Sequence, residues 1–139
     1  MSEPLQIELP ESTPAYEPGR DLLGTVSWNV PQPVAKLELH LLWYTLGIGE
    51  QDSRVVETLQ WESLPPQGER HFEIRLPRAP YSLQADNLTI RWALEANLQP
   101  GRHSARRELT IAPGRAELKL NTVQDPSGRL LQKLQSWFR

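Results

Sequence analysis

Three histidines, His40, His71 and His103, are the first candidates for acid–base or metal chemistry in this chain, and they are widely separated. Each falls on the polar side of an alternating segment or at a turn. No His-x-x-x-His or His-plus-carboxylate spacing brings two donors together, so a metal site would have to be assembled across strands. Surface imidazoles, and no metal, are therefore expected. The absence of cysteine excludes a thiolate nucleophile, a disulfide and any Cys-based metal site. "GIGE", residues 47–50, lacks the Lys-Ser/Thr pair that reaches phosphates, and no helical run follows it, so it reads as a hairpin loop. No Gly-x-Ser-x-Gly elbow is present. Glu57 and Glu62 have no evident apolar pocket that would make one of them a general acid. These residues predict no catalytic group and no cofactor, that is, a protein that is not an enzyme.

Charge offers one further candidate. Arg102, His103, Arg106 and Arg107 cluster after a turn, and Arg forks match carboxylates or phosphates. Glu95 and Glu108 are near enough in sequence pattern to neutralise them, so a solvated strand face is the expected reading. The net charge of −2 gives no electrostatic case for nucleic acid as a partner. Residues 1–65 hold 10 acids and 3 bases, and residues 66–139 hold 7 acids and 12 bases. In a sandwich the two halves interleave, so this asymmetry need not create two poles.

The remaining candidate is a binding element at the C-terminus, "DPSGRLLQKLQSWFR". Asp125 or Ser127 can cap a helix and Pro126 suits its first turn. Leu130, Leu131, Leu134, Trp137 and Phe138 then form one apolar stripe, with Arg129, Lys133 and Arg139 off it. A helix of about 13 residues is marginal alone in water, so the stripe must be buried against something. Three surfaces are open to it: the chain's own sandwich, another chain in a groove, or a membrane surface. Leu130, Leu134, Trp137, Phe138, Arg129 and Lys133 are the candidate partner-binding residues.

The elements that must carry these residues are strands. Apolar residues recur with period 2 almost throughout. Leu5, Ile7 and Leu9 share a face, as do Leu22, Val26, Trp28 and Val30 with Gly24 in their row. Ala35, Leu37, Leu39, Leu41 and Trp43 alternate with Lys36, Glu38 and His40. Phe72, Ile74 and Leu76 form a further row, as do Leu88, Ile90, Trp92, Leu94 and Ala96, and then Arg107, Leu109 and Ile111. Such rows belong to strands with one face on a core and one in water. "EPGR", "VPQP", "PPQGE", "PRAPY" and "QPGRH" punctuate them as turns, and prolines there break no ladder. With no helical run before residue 125, an antiparallel β-sandwich follows. Gly24, just after a Pro-Gly corner, predicts a bulge, bend or close backbone approach, with a kink where the strand enters its sheet. Of the five tryptophans, Trp28, Trp43 and Trp92 belong to the core, while Trp61 is ambiguous.

Two blocks then resemble a known family. Tyr16, Pro18 and Gly19 followed by Gly24 and Val26 resemble the Tyr-x-Pro-Gly corner and Gly-x-Val strand of the arrestin-like superfamily. That superfamily includes arrestins, arrestin-domain proteins, the arrestin-fold subunit of retromer and bacterial sporulation-control proteins. "HFEIRLPRAPYSLQADNLTIRWALEA" is similar to a second family block through Phe72, Ile74, Leu76, Pro77, Pro80, Ser82, Ile90, Trp92, Leu94 and Ala96. The likeness covers roughly residues 5–112. It departs from the family in having length for one domain where two are usual, and in Gln84-Ala85-Asp86-Asn87 replacing a customary glycine. The resemblance implies an immunoglobulin-like sandwich that binds other proteins; it carries over no particular ligand.

The sequence thus predicts an all-β, immunoglobulin-like antiparallel sandwich over residues 1–122 with an amphipathic helix over 123–139. Its expected function is that of a protein-interaction or scaffold module, with a peripheral membrane adaptor held by the basic helix as the alternative. The N-terminus shows no signal-peptide pattern and no apolar run is long enough to span a bilayer, so a cytoplasmic location is expected. An uncovered sheet edge, or the helix, predicts homodimerisation.

Overall fold

The computed structural model describes residues 3–11, 14–47 and 51–120. Ten strands follow in chain order: β1 (Leu5–Glu8), β2 (Ala15–Tyr16), β3 (Asp21–Asn29), β4 (Val34–Gly47), β5 (Ser53–Leu64), β6 (Gln67–Arg75), β7 (Leu83–Ala85), β8 (Leu88–Gln99), β9 (His103–Ile111) and β10 (Leu118–Leu120). One short 3-10 turn, Pro113–Arg115, precedes β10. The helix expected over 123–139 lies outside the described residues, apart from which the all-β reading stands.

Two sheets face one another. The smaller has the order β1-β3-β6, antiparallel throughout. The larger is centred on β4 and β8, which pair from Lys36↔Gln99 to Gly47↔Leu88. β5 lies on the far side of β4. The other edge of β8 is shared, by β9 along Trp92–Leu98 and by β7 at Thr89–Ile90. One continuous core joins the sheets. Leu22, Val26, Trp28, Phe72 and Ile74 contribute from one side, and Leu37, Leu39, Leu41, Trp43, Ile90, Trp92 and Leu94 from the other. These are the alternating residues of the sequence, and a slip of one residue would have inverted them all. Two indoles satisfy their N–H groups inside: Trp28 Nε1 donates to the Pro65 carbonyl at 2.8 Å and Trp92 Nε1 to that of Pro80 at 2.9 Å.

The structure corrects four local expectations. The pairing is not wholly antiparallel: β2 runs parallel to β9, and β10 parallel to β7. Both are short marginal strands; between β1 and β3 the chain leaves the small sheet, touches the large one at β2, and returns. Ala35 is exposed while Val34 is buried, because the alternation slips at the entry to β4 and the larger apolar side chain takes the inner place. Lys36 and Glu38 do lie on the outer face but are half-buried, joined by an ion pair at 3.0 Å; Arg75 and Arg91 are exposed. Gly24 marks no kink: β3 pairs with β6 without interruption from Asp21↔Arg75 to Asn29↔Gln67. Its role is close approach. A Cβ there would stand 2.5 Å from Phe72 Cζ, 2.9 Å from Leu9 Cδ2 and 3.0 Å from the Glu8 carbonyl oxygen. The Pro-Gly corner before it turns through Gly19 at φ +79°, and the Arg20 carbonyl then accepts from Leu76 N at 2.8 Å, tying the corner to the end of β6.

Candidate interaction surfaces

Three surfaces carry the polar and exposed apolar groups. The first is the outer face of the large sheet. On β4 the residues between the core-facing ones are Glu38, His40, Leu42, Tyr44 and Leu46, and their cross-strand partners on β8 are Asn97, Glu95, Ala93, Arg91 and Thr89. Leu42, Tyr44 and Ala93 form a second, separate apolar cluster with Leu46 packed against it. The Arg106 guanidinium lies over the Tyr44 ring at 4.9 Å. The Tyr44 hydroxyl donates to the Glu108 carboxylate at 2.9 Å, and Arg106 reaches Glu108 at 3.2 Å and Glu95 at 3.3 Å. Burial draws the Arg106 pKa down, but hydrogen bonds with Glu108 and Tyr44 outweigh it and leave the value raised. Below this group His40 contacts Thr58 Oγ1 at 3.0 Å through Nδ1 and Glu38 at 3.4 Å through Nε2.

The arginine cluster read from the sequence is therefore divided by the pleat. Arg106 is neutralised on the outer face by Glu95 and Glu108, as expected for a solvated strand face. Arg107 sits on the opposite face of β9, across from Leu94. It closes the margin of the sandwich by donating from Nη1 to the Ile7 carbonyl of β1 at 3.2 Å. A groove of about 440 Å³ runs along this margin between β1 and β9. Nearby, the Tyr16 hydroxyl is buried with no hydrogen-bond partner among the described residues. Burial and then the Glu11 carboxylate push its pKa up, against an opposing pull from Arg107.

The third surface is β5. Among the described residues it pairs only with β4, so its other edge runs for twelve residues, with the N–H and C=O groups of about every second one turned outward and unpaired in the ladder. Ser53 to Thr58 are all exposed, including Val55 at 52% and Val56 at 40%. The register with β4 shifts between Leu41 and Leu42, which leaves Val56 without an opposite residue. Leu59 and Trp61, facing the core side, are half-buried, which settles the ambiguity over Trp61.

His71 contacts Thr25 Oγ1 at 2.9 Å on the small sheet and His103 lies beneath Gly101, so the three histidines are on separate surfaces. Among the described residues no three His, Asp or Glu side chains converge as a metal group would require, and no helix is long and apolar enough to cross a membrane. The candidate partner-binding residues Arg129, Leu130, Lys133, Leu134, Trp137 and Phe138 lie outside the described residues. Sequence reasoning missed β5 and the Leu42–Tyr44 cluster. The signal for the cluster was the unbroken run "LLWYT", where apolar residues fall on both faces of one strand.

Two facing sheets around one core define an all-β sandwich. Neither a protein-family model nor a curated protein matches the sequence. Among solved structures, the fold is similar to that of Spo0M, a sporulation control protein from Bacillus subtilis, with a TM-score of 0.58 and 16% identity. The match covers 78% of this chain and 48% of Spo0M, so the chain spans about half the length of that protein. What the two share is the fold. A superoxide reductase (neelaredoxin) from Ignicoccus hospitalis overlaps less well, with a TM-score of 0.40 and 17% identity over 77% of this chain and 79% of that one. An alkylpurine DNA glycosylase, AlkC, from Pseudomonas fluorescens gives 0.31 and 17% over 78% and 31%. Neither of these two overlaps bears on function.

Proposed function

We propose that this chain is an arrestin-type sandwich that acts as a non-enzymatic protein-interaction or scaffold module, and that its docking element is the open edge of β5. The observation that carries the reading is the twelve-residue edge with both valines exposed. Backbone N–H and C=O groups on such an edge bind an extended segment by strand addition, and pockets beside alternate side chains select it. The likeness of fold to a sporulation control protein agrees with a regulatory or scaffold role. Homodimerisation, expected from the sequence, would use this same edge.

The test is the double variant V55K/V56K. Lysines on an edge strand oppose further pairing, and both positions are exposed, so stability should change by no more than about 0.5 kcal/mol per site. Wild type and variant are used as bait in the native cell extract, and β5 amide exchange is followed in any complex recovered. A discrete protein retained by wild type, lost from the variant and protecting β5 amides supports the reading. Equal retention by both, or protection elsewhere, refutes it.

A further inference from the structure

The outer face of the small sheet lies apart from the surfaces above, and it is open. On it Leu23 of β3 stands opposite Glu73 of β6; the next row is Glu8, Thr25 and His71, and the row after that ends in Glu69. Leu23 is 53% exposed, more than any other large apolar side chain among the described residues. Beside it is a depression of about 440 Å³, to which Leu9, Pro10, Gly24 and Phe72 give an apolar floor. β1 ends at Glu8, opposite Thr25, so no strand covers this flank of Leu23 and Gly24. Glu8, Glu69 and Glu73 are exposed, and none is in an ion pair with another described residue; the arginine of this face, Arg75, is taken by Asp21 at 2.7 Å. The large sheet differs, since on its outer face Glu38, Glu95 and Glu108 each meet Lys36 or Arg106. Unmatched carboxylates on one face repel one another, so a cation placed among them is favoured and an anion is opposed.

We propose that this face docks an extended basic segment of another protein, with the pattern Arg/Lys-x-Leu-x-Arg/Lys, its apolar residue seated on Leu23 and in the adjoining depression. Spacing selects the pattern. Glu73 is directly across from Leu23, with Cβ atoms about 5 Å apart, and Glu8 is on the diagonal to the other side at about 7–8 Å. Two strand spacings across and two residues along put these carboxylates about 12 Å apart. In an extended segment, residues i−2 and i+2 are about 13 Å apart and point to the same side as residue i. Two bases therefore meet Glu8 and Glu73 while the residue between them rests on Leu23. The same carboxylates oppose anionic surfaces, nucleic acid and phospholipid among them. The contact is made by side chains on a sheet face, so it stands independently of the strand addition assigned to β5.

The probe is the synthetic heptapeptide Gly-Arg-Thr-Leu-Thr-Arg-Gly, acetylated and amidated, added to the ¹⁵N-labelled full chain. Amide shifts of Leu23, Thr25, His71 and Glu73 should move together and saturate in the millimolar range, while those of β5 stay fixed. Serine in place of the peptide's leucine should weaken binding about tenfold, through loss of one buried apolar anchor. Glutamates in place of its arginines should abolish binding. On the protein side, L23S should weaken binding severalfold and E8Q/E73Q about fivefold, the latter with less sensitivity to salt than wild type. All three positions are exposed, so circular dichroism of these variants should match wild type. V55K/V56K should bind as wild type does, which separates this site from the β5 edge. The proposal is overturned by an absence of shift changes on this face, by movement of β5 amides instead, or by equal binding of the serine or glutamate peptide. Undiminished binding by E8Q/E73Q overturns it too.

Discussion

Replacing Gly24 by alanine puts two effects of opposite sign in competition. In a strand interior, alanine normally gains about 0.5–1 kcal/mol over glycine because the unfolded chain has fewer conformations to lose. Here the added methyl carbon would meet Phe72 Cζ at 2.5 Å and Leu9 Cδ2 at 2.9 Å, with the Glu8 carbonyl oxygen at 3.0 Å. Leu9 is half-buried and can yield. Phe72 is 5% exposed within the core, and Glu8 is fixed by the β1–β3 ladder opposite Thr25, so neither can move without disturbing packing or pairing. Overpacking of this kind costs roughly 1–3 kcal/mol. The clash should win, leaving Gly24→Ala destabilised by about 1–2 kcal/mol, a fall in Tm of several degrees. Urea unfolding followed by far-ultraviolet circular dichroism would show a lower midpoint with an unchanged slope. If the Phe72 ring is the obstacle, Phe72→Leu should relieve it, and the double variant should be more stable than the two single effects summed by about 1 kcal/mol. Gly24→Ala as stable as wild type, or strict additivity with Phe72→Leu, would refute the steric account.

Trp92→Phe removes volume from a site with no exposure and strands the Pro80 carbonyl; thermal melts should show a loss of about 1–3 kcal/mol. Tyr16→Phe should stay within about 0.5 kcal/mol of wild type at neutral pH, because the buried hydroxyl it removes has no partner among the described residues. The raised pKa of Tyr16 means that the unfolded chain loses that proton first as pH climbs past about 10. Wild type should therefore keep its stability below that pH and lose it above, and Tyr16→Phe should lose less in urea titrations across the same range.

The core was legible because burial on one face of a strand enforces period 2, as with Leu37, Leu39, Leu41 and Trp43 or Ile90, Trp92 and Leu94. The signal faded where that enforcement did. At Val34 and Ala35 the chain enters its strand and the larger side chain decides the phase. In "LLWYT" both faces are apolar, so alternation gives no sign of a second cluster behind the core. β5 is exposed on nine of its twelve residues and had no long row of apolar residues to reveal it, although one of the three candidate surfaces lies there. Arg106 and Arg107 are neighbours in sequence and one charge patch by composition, yet the pleat sends one to Glu108 and the other to the Ile7 carbonyl. Gly24 could be recognised as exceptional, but only the position of the Phe72 ring distinguishes close approach from a kink.

The nesting of the small sheet around a hairpin has a kinetic consequence. β3 and β6 are distant in the chain, and pairing them from a disordered state means closing a long loop, the slow kind of event in β proteins. β4 and β5, which lie between them, meet through a short connection at Tyr44↔Ser53 and zip down to Val34↔Leu64. Once that hairpin has formed, Asn29 and Gln67 are separated by little more than its two ends, and β3–β6 pairing starts from there at small entropic cost. β4 to β8 has no such helper, since β6 and β7 intervene without bringing their ends together. Docking the β8–β9 hairpin onto β4 is thus the closure that should set the folding rate, and the polypeptide made up to β6 already contains every strand of the small sheet before β8 is synthesised.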